Sequence, residues 1–259
     1  MKLGVNIDHI ATLREARAIN EPDPLEALFV VKNARADQVT LHLREDRRHI
    51  NELDLKRVIE SSLLPVNVEC SIDKDVVSIV SLLKPNRVTI VPEKREEITT
   101  EGGLDVKSTS SKIKGIIEVF RKKEIETSLF IDPDRDSIDI SKKIGADAIE
   151  LHTGRYANLF LAKNSNINHT QHKLYNKLSR SELKSEIENE LKKIEECATY
   201  AKSLGLFVAA GHGLNYQNVE PIVKIKDIEE LNIGHSIIAK ALFVGLKEAV
   251  EEMVILCQK

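Results

Sequence analysis

Eight short runs rich in β-branched and other apolar residues recur along the chain, and segments of helical character separate most of them. The runs are LGVNID (3–8), QVTLHL (38–43), VNVEC (66–70), RVTIVP (87–92), TSLFID (127–132), AIELHT (148–153), LFVAAGH (206–212) and ELNIGH (230–235). Parallel neighbours need a crossover, and a helix supplies it, so this alternation argues for a parallel sheet. Eight units close such a sheet into a barrel, a fold that commonly takes about 250 residues. The chain has 259. The expected class is therefore α/β, a (β/α)8 TIM barrel, in one domain over 1–259.

Helix boundaries agree with that reading. Asp23 followed by Pro24 is an N-cap with proline in the first turn, and Ser179 with Glu182 has capping-box spacing. Gly145 and Gly205 stand where helices should stop before strands. Leu183, Ile187, Leu191, Ile194, Ala198 and Ala201 recur at steps of three or four, the single buried stripe of one long helix. No Gly/Ser-rich linker divides the chain. Residues 155–178, RYANLFLAKNSNINHTQHKLYNKL, are rich in Asn and long for a loop of this kind, and are expected to be an insertion on the rim.

Composition removes several classes of function. Charged residues make up 31% and the net charge is -3, so no basic excess attracts nucleic acid. The apolar runs fall well short of the roughly 20 residues of a bilayer span, and MKLGVNIDHI has no signal-like apolar core. A cytoplasmic protein with no nucleic-acid or membrane partner is expected. Cys70, Cys197 and Cys257 are widely spaced and form neither a disulfide framework nor a CxxC zinc motif.

Active sites of such barrels lie at the C-terminal ends of the strands. There the sequence places Asn6, Asp8 and His9 (strand 1), His42 and Arg44 (strand 2), Glu69 (strand 3), Glu150 and His152 (strand 6), His212 (strand 7) and His235 (strand 8), with His49 just beyond strand 2. Period-two alternation puts Thr40, His42 and Arg44 on one face and Leu41 and Leu43 on the other. Asn6 with Asp8, Asn67 with Glu69, and Glu150 with His152 pair in the same way. A lone His or Glu at a strand end is more often structural than catalytic, but a convergent set of them suits proton transfer. Glu45, Asp46, Arg47 and Arg48 are read as a solvated rim, and His169 and His172 as surface residues of the insertion.

The loops AGHG (210–213) and NIGHS (232–236) follow strands 7 and 8. Glycine allows close approach of backbone N–H groups, a helix N-terminus adds positive potential, and this is where barrels often hold phosphate. Two plain glycine turns are the alternative. Arg44 and His49 are placed to hold a second phosphate. A metal is the competing use of Glu150 and His152, although no HxH or HExxH motif accompanies them. No lysine falls within an expected strand, the nearest being Lys94, which argues against imine-forming aldolase chemistry.

With these residues in view, the chain resembles the pyridoxine 5'-phosphate synthase family of de novo vitamin B6 biosynthesis. The resemblance rests on GVNIDHIATLREAR (4–17), HLREDRRHI (42–50), VPEKREEITTEGGLDV (91–106), SLFID (128–132), IELHTG (149–154), AGHGLNYQNV (210–219) and ELNIGHSII (230–238). It implies a (β/α)8 barrel with additional helices, assembled as a homo-octamer, with no metal and no organic cofactor. It implies condensation of 3-amino-2-oxopropyl phosphate with 1-deoxy-D-xylulose 5-phosphate, giving pyridoxine 5'-phosphate, phosphate and water. By resemblance His42 and Glu69 are proton acceptors, His212 is a proton donor and Glu150 stabilises a transition state. Asn6, Arg17, Gly213, Gly234 and His235 match positions that hold the amino ketone phosphate, Arg17 from a neighbouring subunit. Asp8, His9, Arg44, His49 and Thr99 match those that hold the deoxyxylulose phosphate, and the loop containing TTEGG (99–103) closes over the substrates. The segment 155–178 and the charged helix that follows it depart from the family pattern. Rival readings are another phosphosugar isomerase or aldolase barrel, and a non-catalytic phosphate-ligand sensor.

Overall fold

The computed structural model describes residues 1–93, 102–165 and 178–258. Strand β1 (Lys2–Asn6) leads into α1 (Asp8–Glu15) and α2 (Pro24–Asn33), and β2 (Gln38–Leu43) into α3 (Glu52–Ser61). Then come β3 (Val66–Cys70), α4 (Lys74–Leu83), β4 (Arg87–Ile90), α5 (Val106–Arg121), β5 (Glu126–Ile131) and α6 (Arg135–Ile144). The last part comprises β6 (Ala148–His152), α7 (Gly154–Asn164), α8 (Arg180–Ser203), β7 (Phe207–Gly211), α9 (Val219–Val223), β8 (Glu230–Ile233), α10 (His235–Val244) and α11 (Leu246–Cys257). The eight strands pair in chain order, all parallel, and β1 pairs with β8 to close the barrel.

The helix ends follow the local chemistry. The Asp23 side chain accepts from the Leu25 N–H at 2.9 Å with Pro24 in the first turn, and Ser179 and Glu182 form a complete capping box. Gly145 ends α6 at φ 93°, a conformation that a side chain would strain. The expected rim insertion divides: Gly154–Asn164 is helix α7, with Tyr156 and Leu159 buried, and residues 166–177, including His169 and His172, lie outside the described residues.

Apolar strand residues such as Leu3, Val5, Leu41, Leu43, Val68, Ile90, Ile149, Val208 and Ile233 are buried against the helices. The inward face of the barrel is polar instead. Arg87 Nη1 donates to Glu230 Oε1 at 2.8 Å, and Gln38 Nε2 donates to the same oxygen at 3.0 Å. One layer higher, Thr40 Oγ1 donates to Asn232 Oδ1 at 3.3 Å and Thr89 Oγ1 to Asn67 Oδ1 at 3.0 Å. Branched apolar residues fill most barrels of this type. Here most of the buried polar groups pair with one another, which limits the desolvation cost of the floor beneath the mouth, although Asn67 Nδ2 and Arg87 Nε have no hydrogen-bond partner among the described residues. Gly4 belongs to this floor, since a Cβ there would lie 2.2 Å from Asn232 Oδ1.

Two strands end earlier than the sequence suggests. Asp8 and His9 form the first turn of α1, because the Asn6 side chain accepts the Asp8 N–H at 2.9 Å and turns the chain out of β1. His235 likewise opens α10 rather than closing β8. Lys2 does lie within a strand, at the first residue of β1 and so at the end of the barrel away from the mouth.

Candidate active site

The strand register brings His42 and Glu69 side by side on β2 and β3, with Nδ1 of the histidine 3.8 Å from Glu69 Oε2. Asp8 enters from α1. Its Oδ2 accepts from Asn6 Nδ2 at 2.8 Å and its Oδ1 from the His42 backbone N–H at 2.8 Å, so both oxygens are fixed. Ligand atoms of Asp8, His42 and Glu69 lie within 4.8 Å of one another. That spacing suits a shared proton and is also compatible with a small cation. Burial pushes the Glu69 carboxyl well above its ordinary range, and the charges of Glu150 and Asp8 push it the same way.

The opposite half is built from β6, β7 and β8. Glu150 is 3% exposed, and burial raises its pKa to about 7 despite the hydrogen bond from Asn232 Nδ2 to Oε2 at 2.7 Å. A carboxyl poised there can exchange a proton near neutral pH. Gly211 is required beside it, since a Cβ at that position would lie 2.3 Å from Glu150 Oε1 and 2.9 Å from the Asn232 carbonyl. His212 adopts φ 78°, an uncommon conformation for a residue with a side chain. Its ring packs edge-on against His152, with centroids 5.0 Å apart, and both rings contact Phe130. The sequence offered Glu150 and His152 as a metal pair, but the structure gives them separate partners: Asn232 for Glu150, and Asp132 Oδ1 at 3.0 Å for His152 Nδ1.

Anion-binding groups surround this cluster. Gly234 is the N-cap of α10 and makes no side-chain capping bond, and a Cβ there would meet Asn6 Cβ at 2.9 Å. His235 is exposed and packs on His9 with centroids 5.1 Å apart. Burial holds the His9 pKa below the ordinary histidine value; Asp8 opposes this and His235 adds to it. Gly213, exposed at φ 78°, follows His212, and a Cβ there would crowd Ala157 at 2.6 Å. On the far side, His49 Nδ1 accepts the Ile50 N–H at 2.8 Å, which leaves Nε2 to carry the proton of the neutral ring as a donor. The His49 carbonyl is held by Arg14, whose buried guanidinium also pairs with both oxygens of Asp54 at 2.7 and 2.8 Å.

Most of the expected site residues therefore gather at one end of the barrel. Arg17 does not: it is exposed just beyond α1. Thr99 lies outside the described residues. The solvated-rim reading of 45–48 holds for Asp46 and Arg48, which are exposed and paired with each other, and needs correction for Glu45 and Arg47, because Glu45 Oε1 accepts from Ser71 Oγ at 2.7 Å and Arg47 donates to backbone carbonyls of Arg44 and Glu45. Two carboxylates escaped the sequence reading. Glu93 stands 3.4 Å from His42 Nε2 and 3.5 Å from Arg44, and Asp132 binds both His152 and the Gly103 N–H. The available signal was parity: Arg87, Thr89, Val91 and Glu93 continue one face of β4, as Ser128, Phe130 and Asp132 continue one face of β5.

Comparison with known proteins places this geometry in context. Residues 3–259 match the family model described as pyridoxal phosphate biosynthesis protein PdxJ. The chain is 58% identical over 253 residues to a pyridoxine 5'-phosphate synthase of Nautilia profundicola, covering 98% of each protein. It is 57% identical over 255 residues to one of Wolinella succinogenes, covering 98% of this chain and 97% of that protein. Among solved structures, KGPDC from Streptococcus mutans superposes with a TM-score of 0.61 at 10% identity, over 99% of this chain and 97% of that one. Phosphoribosylanthranilate isomerase from Thermotoga maritima does so with a TM-score of 0.58 at 9% identity, over 100% and 98%. These two likenesses concern the barrel fold. No helix among the described residues is long and apolar enough to cross a membrane.

Proposed function

Since the chain belongs to the PdxJ family of pyridoxal phosphate biosynthesis proteins, we propose how its barrel carries out the ring-forming synthesis of pyridoxine 5'-phosphate. The substrates are 3-amino-2-oxopropyl phosphate and 1-deoxy-D-xylulose 5-phosphate. The amine of the first attacks the ketone of the second, and the resulting imine tautomerises, loses inorganic phosphate, exchanges water and closes the ring by an aldol-type step. Every stage moves a proton.

The observation that carries this reading is the pair of carboxyls at the mouth, half-buried Glu69 and buried Glu150, with His42 beside the first, the charge of the second acting on the first, and both raised from their ordinary range. Groups tuned in this way pass protons in either direction near neutral pH, which a multi-step condensation requires. His42 and Glu69 act as acceptors, His212 as donor, and Glu150 stabilises charge that develops in the transition state. Asn6, Gly213, Gly234 and His235 hold the amino ketone phosphate, with backbone N–H groups at the α10 N-terminus facing the anion. Asp8, His9, Arg44, His49 and Thr99 hold the deoxyxylulose phosphate. Fixing the two phosphates on opposite sides of the mouth supplies the proximity advantage. The scheme uses no metal and no organic cofactor.

The exposure of Arg17 fits a role in the site of a neighbouring subunit, and we take the assembly to be a homo-octamer of single-domain barrels, working in the cytoplasm without nucleic-acid or membrane partners. The roles are tested by His42→Asn, Glu69→Gln, Glu150→Gln and His212→Asn, with folding checked by circular dichroism. Each should lower kcat by about 10²–10⁴-fold, the usual contribution of a positioned acid or base. Full turnover by any folded member of the set refutes the role of that residue.

A further inference from the structure

Glu93 has no part in the scheme above, yet its side chain is only 1% exposed and lies against two members of the site. A buried carboxylate is costly unless it is paired. Its Oε1 accepts the Glu45 N–H at 2.9 Å and faces Arg44 Nη2 at 3.5 Å, so that end is anchored. Among the described residues its Oε2 is buried without a hydrogen-bond partner, as is His42 Nε2, and the two atoms are 3.4 Å apart. Each is the natural partner of the other, and a shift of a few tenths of an ångström completes an N–H···O bond of ordinary length.

We propose that Glu93 is a positioning residue for His42: it fixes the imidazole as the tautomer protonated on Nε2 and leaves Nδ1, on the Glu69 side, as the atom that accepts the substrate proton. The proposal rests on the acid–base role assigned to His42. Burial pushes the Glu93 carboxyl up, but His42 and then Arg44 outweigh it and hold the group below its ordinary range, as a partner that stays ionised must be. Glu69 cannot serve as the orienting group. It is farther away, at 3.8 Å, and its carboxyl is driven toward the neutral form. Among the described residues, the other charged or titratable groups around His42 are Asp8 on α1, which takes the backbone N–H, Arg44 just after β2, and His49, whose ring centroid is 6.1 Å away. Orientation of a catalytic imidazole by a buried carboxylate on its far nitrogen is a recurrent device, because it sets the tautomer and favours the protonated ring. The same carboxylate faces Arg44, so base and phosphate ligand are placed by one group.

The test has two independent arms. In the full-length wild-type protein, labelled with ¹⁵N-histidine and assigned through His42→Asn, neutral His42 should carry its proton on Nε2; a ring protonated on Nδ1 overturns the proposal even if no variant folds. In Glu93→Gln, which retains an acceptor for the Glu45 N–H, kcat should fall at least about tenfold out of the 10²–10⁴ that such catalysis supplies, with little change in either KM. With the amide oxygen on the Glu45 N–H, the NH2 group of the glutamine faces Nε2, so the neutral His42 proton should move to Nδ1 in the same ¹⁵N spectrum. A ring that keeps its proton on Nε2 in the variant, whatever kcat does, makes Glu93 a structural group and overturns the proposal. Full turnover by His42→Asn would instead remove the premise.

Discussion

Replacing Glu150 with Gln should change not only turnover but the pH dependence of stability, and the magnitude follows from the structure. The carboxyl titrates at about 7 in the folded protein against an ordinary 4.5, chiefly because it is buried. Between those values the folded state binds a proton that the unfolded state has released, so stability falls as pH rises through the interval. Each pH unit in that window costs about 1.4 kcal/mol, and the whole window about 3 kcal/mol. Glutamine keeps the shape and can still accept from Asn232 Nδ2, but never ionises. Wild type should therefore lose about 3 kcal/mol relative to Glu150→Gln between pH 4.5 and 7.5. Glu230, whose carboxyl is also raised, titrates in both proteins, whereas Glu69 loses the push of the Glu150 charge in the variant and cancels only in part. Thermal or urea unfolding of the two proteins across that range, at one fixed protein concentration, measures the effect. A stability difference that stays constant with pH would refute a neutral Glu150 poised near 7.

Arg14→Met should destabilise the protein by about 3–5 kcal/mol, because it leaves the buried Asp54 carboxylate unpaired and releases the His49 carbonyl; a variant melting within a degree of wild type would show that the pair contributes nothing. Gly211→Ala should fold yet lose at least about tenfold in kcat, since the added methyl group must displace Glu150 from its place among acid–base groups worth about 10²–10⁴-fold. Unchanged steady-state kinetics would contradict the assigned position of Glu150. Asp132→Asn removes the anionic partner of His152 Nδ1 and should shift the ¹⁵N resonance of that ring nitrogen while leaving Nε2 nearly in place. An Nδ1 resonance identical to that of wild type would rule out Asp132 as that partner.

Much of the fold could be read from the sequence because two periodicities are clean in it. The bounds of β2 and β3 coincide with the QVTLHL and VNVEC runs, and the glycine after α6 and the capping box of α8 stand where the residues place them. The polar floor of the barrel was less legible. Gln38, Arg87, Glu230 and Asn232 alternate correctly, but their mutual pairing depends on strands up to 194 positions apart in the chain. Asp8 and His235 are at the mouth as expected but on helices, because a local side-chain turn at Asn6 and a glycine N-cap at Gly234 end the strands early. Glu93 and Asp132 were missed because both follow a proline-containing or strand-terminating run that reads as punctuation, although inward parity extends to each. The charged stretch after β2 misleads for the opposite reason. Glu45 and Arg47 look like surface residues by type, and their hydrogen bonds to Ser71 and to backbone carbonyls appear only once β2 and β3 lie side by side.

The account is tested most directly by inorganic phosphate release from the purified protein, given the amino ketone phosphate and the deoxyxylulose phosphate first separately and then together, with pyridoxine 5'-phosphate followed by absorbance. Phosphate and pyridoxine 5'-phosphate should form in equal amounts, and only with both substrates present. Phosphate release from either substrate alone, or none from folded protein supplied with both, would contradict a site built to join them.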